Sequence, residues 1–93
     1  MSDFAKACEL IAGAGFTIEE AYYQGRRFGS WTIEISSEGS KPRLILWDGR
    51  DRWIILQTQR AAEWIDEWVI REAQSDAIEQ VIARLTHERL GLI

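Results

Sequence analysis

Apolar residues follow three different spacings along this chain. Phe4, Ala7, Cys8 and Ile11 fall at i, i+3, i+4 and i+7, one face of an α-helix, with Ser2 placed as its N-cap and Gly13 and Gly15 placed to end it. Trp31, Ile33 and Ile35 then alternate with Thr32, Glu34 and Ser36, the pattern of a strand with one buried and one wet face. Residues 43–47 and 53–58 are nearly continuous apolar runs. The segment Asp48-Gly49-Arg50-Asp51 between them is a strong hairpin signal, and Gly39 to Pro42 supplies the preceding turn. Residues 16–23 carry two patterns at once. Phe16, Ile18, Glu20 and Tyr22 alternate as in a strand, while Thr17 and Glu20 are spaced as a capping box with Phe16 and Ala21 as its staple. The strand is the favoured reading, followed by a loop from Gly25 to Ser30.

After Gln59 the period changes to 3.6. Ala61, Trp64, Ile65, Trp68 and Val69 form one helical stripe, and Ala77, Ile78, Val81, Ile82 and Leu85 form another. This predicts helix from about residue 60 onward, as one long helix or as a pair with Ser75-Asp76 capping the second. The expected architecture is therefore α+β: an N-terminal helix, an antiparallel three- or four-stranded β-meander, and a C-terminal helix or helical pair packed on one sheet face. The expected core contains Phe4, Cys8, Ile11, Ile33, Leu44, Leu46, Ile55, Ile65, Val81 and Ile82. The strands 43–47 and 53–58 are apolar on both faces, so either Ile45, Trp47 and Ile54 or Leu44, Leu46, Trp53 and Ile55 must face away from the helices. An uncovered patch of that size predicts self-association, most simply a homodimer.

Composition narrows the class. A chain of 93 residues with 46% apolar and 28% charged residues is expected to form one globular domain, 1–93, and is too well endowed with apolar side chains for disorder. No apolar run approaches the ~18 residues of a membrane span, and Asp3 stands where a signal peptide carries lysine or arginine, so a cytoplasmic location is expected. The net charge of −4 is unevenly spread. Residues 1–23 balance at −3 and residues 61–93 at −4, whereas residues 24–60 balance at +3. Acidic helices around a mildly basic sheet suit a protein partner better than nucleic acid.

Groups with catalytic chemistry are few. His87 sits on the polar side of the last helical stripe, with no nucleophile or second ligand at a useful spacing. Cys8, the only cysteine, lies on an apolar face and reads as a packed thiol; alone, it forms neither an intramolecular disulfide nor a cysteine zinc cluster. Asp48 and Asp51 flank Gly49, but Arg50 and Arg52 bring positive charge into the same loop, so a turn is favoured over a cation site. Gly25 and Gly29 bracket Arg26 and Arg27 without the spacing of a phosphate loop. No catalytic residue, metal site or cofactor is expected.

Recognition is better represented. The chain has five tryptophans, and tryptophan and arginine are the residue types most enriched in binding hot spots. A domain of this size can hardly bury five indoles completely. Arg26, Arg27, Trp47, Arg50, Arg52, Trp53, Trp64 and Trp68 are the expected partner-binding residues, with Trp64 and Trp68 at i, i+4 on one helix face. Arginines 26, 27, 43, 50, 52 and 60 also interleave with Tyr22, Tyr23, Phe28, Trp47 and Trp53. That mixture serves single-stranded nucleic acid, although a pI near 4.9 opposes it.

The layout of helix, meander and C-terminal helices, with small size and acidic charge, is similar to that of immunity proteins, which block toxins, and of anti-CRISPR inhibitors. The likeness is one of size, charge and architecture and carries no residue across. It implies a bacterial or phage inhibitor of a partner protein. The expectation is thus a non-enzymatic protein-protein interaction domain, with a nucleic-acid-binding accessory protein that uses the arginine and aromatic surface of the meander as the alternative.

Overall fold

The computed structural model describes residues 4–91. Helix α1 (Phe4–Gly13) is followed by strands β1 (Thr17–Gln24), β2 (Ser30–Ser36), β3 (Arg43–Asp48), β4 (Trp53–Arg60) and β5 (Glu63–Ile70), then by helix α2 (Ala77–Arg89). The strands form one antiparallel sheet in the order β1-β2-β3-β4-β5, each paired with its neighbour in sequence. The fold is α+β, as the periodicities predict, with five strands rather than three or four. Neither helix of the described residues is long and apolar enough to cross a membrane.

Helix α1 ends as its glycines require. The Phe16 N–H reaches Ile11 O at 3.3 Å and the Gly15 N–H reaches Ala12 O at 3.0 Å, with Gly15 in the left-handed region at φ 92°. That is a Schellman closure, and the buried Phe16 ring supplies its apolar contact. Ser2, the expected N-cap, lies outside the described residues. Residues 17–24 form β1, so the capping-box pattern at Thr17 and Glu20 is not used.

The segment after Gln59 corrects the sequence reading. Ala61 turns the chain with φ 56°, and Glu63–Ile70 runs back along β4 as a strand. The register shifts between Leu56/Gln57, so that Glu67 is the extra residue of a β-bulge. The bulge swaps side-chain parity within the strand, so apolar residues on the sheet side toward the helices fall at 65, 68 and 70 rather than strictly at every second position. The i, i+3 step between Ile65 and Trp68 imitates a helical stripe. Tryptophan, isoleucine and valine favour strands, and pairing with β4 decides the outcome. Among the described residues, only Ala77–Arg89 is helical beyond this point; Asp76 occupies its N-cap position but makes no capping hydrogen bond.

Both helices pack on the same sheet face. The core runs through Ala7 and Ile11 of α1, Trp31, Ile33 and Ile35 of β2, Ile45 and Trp47 of β3, Ile54 and Leu56 of β4, and Ala77, Val81 and Leu85 of α2. Of the expected core, Ile11, Ile33 and Val81 are buried, and Phe4, Cys8 and Ile82 pack against it partly buried. Leu44, Leu46 and Ile55 are corrected: they alternate with the buried Ile45, Trp47, Ile54 and Leu56 and so point to the opposite face. Ile65 is corrected too, being 38% exposed on the edge strand.

The two faces predict unequal costs of truncation. Ile45→Ala empties a fully buried site and is expected to lose about 2–5 kcal/mol, whereas Leu46→Ala should lose less than half as much. Urea unfolding followed by circular dichroism checks this, and equal losses would refute the assignment of faces.

Candidate interaction surfaces

The uncovered face is built from residues that alternate with the core. One row across it reads Tyr22, Thr32, Leu46, Ile55 and Val69, cross-strand partners from β1 to β5. Leu44, Trp53 and Trp64 extend this apolar surface, all half-buried, and Tyr22 is 58% exposed. The Arg71 guanidinium lies 5.0 Å from the centroid of the Trp53 ring, a cation-π contact. A second row, Glu20, Glu34, Leu44, Gln57 and Asp66, brings carboxylates beside the apolar centre. Asp66 accepts a 2.7 Å hydrogen bond from Gln57 Nε2. The open face is therefore apolar in the middle and acidic toward both edges.

The sheet edges are poor docking sites. Strand β1 carries a bulge at Glu19 next to Glu20, and β5 carries its bulge at Glu67 beside Asp66. Bulges and charges are the devices that keep an edge from pairing with another strand.

The second surface is the end of the sheet where the loops β1–β2 and β3–β4 meet. Asp48 Oδ1 accepts from the N–H of Arg50 at 3.0 Å and of Asp51 at 3.2 Å, and Arg52 N–H closes the loop on Asp48 O at 2.8 Å. Asp48 thus serves its own turn. Gly49 donates its N–H to Ser30 Oγ at 2.9 Å and passes so close to the Phe28 carbonyl that a Cβ there would collide with backbone. Arg52, at φ 60°, accepts the Ala73 N–H at 2.7 Å, which ties the β5–α2 connection to this loop. A groove lined by Arg27, Phe28, Trp47 and Arg50 lies on one side of the loops, and a larger cleft floored by Trp31 and Trp47 lies under the helices.

These positions sort the expected partner-binding residues. Arg27 and Arg50 line one groove at the loop end of the sheet, Arg52 lines the cleft under the helices, and Arg26 is exposed in the β1–β2 loop. Trp53 and Trp64 lie on the open face. Trp47 is a core residue, 7% exposed, with its indole N–H buried and unpartnered. Trp68 is on the helix side, with Arg84 of α2 at 4.9 Å from its ring. Trp64 and Trp68 are thus on opposite faces, not together on one helix, because the bulge lies between them. Tyr22 and Phe28, read from sequence as part of the arginine and aromatic mixture, are exposed, whereas Val69, read as part of a helical stripe, belongs to the open face. For Tyr22 the alternation within residues 16–23 was the available signal.

Cys8 is half-buried, and desolvation raises its thiol above the ordinary cysteine value, which disfavours the thiolate. His87 is on the exposed face of α2. At the sheet end away from the cleft, an ion network joins β3, β5 and α2. Arg43 bonds Glu88 at 2.7 Å and also pairs with Glu67, and Arg84 lies 3.7 Å from both carboxylates. Burial alone would raise the Glu88 carboxyl, but hydrogen bonding and attraction to Arg43 outweigh it and hold the carboxyl below the ordinary glutamate value. Comparison with protein-family models, with curated proteins and with solved structures finds no match to this chain.

A depressed folded-state carboxyl contributes stability that is present above the unfolded glutamate value and is lost as pH falls through the folded one. Glu88→Gln is expected to lower stability at neutral pH and to flatten the acid limb of the stability profile. Thermal melts from pH 7 down to pH 3 check this, and an acid limb as steep as wild type would contradict it.

Proposed function

We propose that this chain is a non-catalytic protein-binding module, acting in the cytoplasm as an inhibitor or chaperone of a partner protein that seats on the open face of the sheet. One observation carries the reading: the row from Tyr22 through Leu46 and Ile55 to Val69, flanked by Trp53 and Trp64, faces away from both helices. An apolar patch of several hundred Å2 is about the largest that a monomer ordinarily leaves open to water, and such patches are often functional. Glu20, Glu34 and Asp66 beside the patch favour a partner whose own apolar patch is rimmed by lysine and arginine, and they disfavour phosphate on the same face. This is the arrangement expected of an inhibitor directed at a basic toxin or effector.

A second copy of the chain fits less well. Five strands about 4.8 Å apart and about six residues long offer roughly 400 Å2, near half of the about 800 Å2 that each side of a standard interface buries. Face-to-face pairing would also crowd the acidic borders of both copies. A larger partner can reach beyond the sheet onto the adjoining loops.

The test is capture from a lysate of the source organism with wild type, Leu46→Arg, Trp53→Glu and an Arg26→Ala/Arg27→Ala/Arg50→Ala variant, together with sedimentation equilibrium. A basic protein held by wild type and the arginine variant, but released roughly 30-fold more readily by Leu46→Arg or Trp53→Glu, is expected, a hot-spot loss of about 2 kcal/mol. Nuclease-sensitive capture lost with the arginines would overturn the reading in favour of nucleic acid. A species of twice 10.7 kDa that Trp53→Glu dissociates would replace the partner by a second copy. Trp47→Glu should unfold the chain and serves as the core control.

A further inference from the structure

The open face carries its charge in order along the strands. At one end Glu20 and Glu34 are direct cross-strand partners, and Asp66 stands in the same row opposite Gln57. Two residues further along the strands comes the apolar row of Tyr22, Leu46, Ile55 and Val69. Two more lead to Gln24, Ser30 and Asp48, which line the loop-end groove together with Arg27, Phe28 and Arg50. Thr32 and Leu46 of the apolar row line that groove as well, so it continues the open face onto the loops.

Cations mark this second end. Arg27 and Arg50 are exposed in the groove, and Arg71 lies over Trp53, the cross-strand partner of Asp48. Among the described residues, none of these three arginines forms a salt bridge. Of the two acids in the loop, Asp48 accepts the N–H groups of its own turn, and Asp51 is exposed. Phe28, next to Arg27, is 70% exposed and sits in the left-handed region at φ 58°. A phenylalanine there gains no burial and bears backbone strain, which folding alone does not explain. The passage of Gly49 against the Phe28 carbonyl holds the loop that presents it.

The separation of the two charged ends suits one kind of occupant. From Glu34 to Ser30 is four residues of β2, about 13 Å, which about nine residues of α-helix span at about 1.5 Å each. The bulged, charged edges disfavour an added strand, and helices of 10 and 13 residues already cover the opposite face of the same sheet. We infer, building on the open face as the partner site, that the partner seats an amphipathic α-helix of about three turns along the strands, with its basic end over Glu20, Glu34 and Asp66, apolar residues over Leu46, Ile55 and Val69, and its acidic end over Arg27 and Arg50. The reverse orientation would set like charges together at both ends. Exposed ion pairs contribute little each, so alanine in place of the arginines weakens docking only a few-fold and leaves the partner captured.

The probes are two lactam-bridged helical peptides of roughly 14 residues, identical in composition and in their leucine stripe. One carries its lysines in one half and its glutamates in the other; the other alternates them. Each is titrated into the full chain and followed by methyl NMR at about 0.15 M salt, where charges beyond about 8 Å are screened. The expected result is saturable shifts at the Leu46, Ile55 and Val69 methyls, with the segregated peptide bound about fivefold more tightly, the scale of a few exposed ion pairs. Arg27→Glu/Arg50→Glu, at two exposed positions, should abolish that preference without moving the melting temperature by more than a degree or so. Leu46→Arg should weaken the segregated peptide at least tenfold. Equal binding of the two peptides by wild type, or a preference that survives Arg27→Glu/Arg50→Glu, would overturn the polarity and leave the open face standing as the partner site. Absence of saturable binding of either peptide would overturn the helical occupant. Binding that Leu46→Arg leaves intact would overturn the open face itself.

Discussion

Two short helices can cover one face of a five-stranded sheet and no more, and the organisation of this molecule follows from that limit. Helix α1 has 10 residues and α2 has 13, each long enough to cross the strands once. They sit side by side on the face that carries Trp31, Ile33, Ile35, Ile45, Trp47, Ile54 and Leu56, and burying these side chains is the main source of stability. The same strands place Leu44, Leu46, Trp53 and Ile55 on the other side, where no element of the described chain packs. An apolar surface that folding does not use is available to binding, and its acidic flanks bias which surfaces it meets.

The remaining features hold this one-sided layer together at its two ends. At one end, Arg43, Glu67, Arg84 and Glu88 join β3, β5 and the last turns of α2, and Arg89 stacks 4.4 Å over Phe16 while donating to Ala14 O at 2.9 Å, so that α2 also closes the end of α1. At the other end the loops are joined through backbone, by Gly49 against Phe28 and Arg52 against Ala73, and the helices diverge enough to leave the tryptophan-floored cleft. The bulges at Glu19 and Glu67 guard the edges. Ion pairs fasten one end and close backbone packing the other, and the larger cavity lies at the second.

Much of the fold is legible in residue spacing, and the errors have one physical origin. The helix from Phe4, the alternation of Trp31 to Ile35 and the Asp48-Gly49 hairpin are local patterns, and all three appear where they were expected. The side chosen by Leu44 and Ile45 is not local. Two-sided apolar strands specify both faces equally, and only the packing of distant helices selects Ile45, Trp47 and Ile54. Glu63–Ile70 was misread because a bulge is set by pairing with β4, which a single segment does not reveal. The same limit applies to the sites: the half-buried Trp53 and Trp64 of the open face and the arginines of the loop end are identifiable by type, whereas burial of Trp47, the opposite orientation of Trp68 and the cleft itself arise from tertiary contact.

The central claim is that one face of the sheet is core and the other is open, and methyl NMR with a soluble paramagnetic agent tests it most directly. In dilute protein free of partner, the methyl groups of Leu44, Leu46, Ile55 and Val69 should relax strongly with added agent, while those of Ile33, Ile45, Ile54 and Leu56 should scarcely respond. Equal protection of both sets in the monomer would contradict the account, because it would require a second layer over the face described here as open.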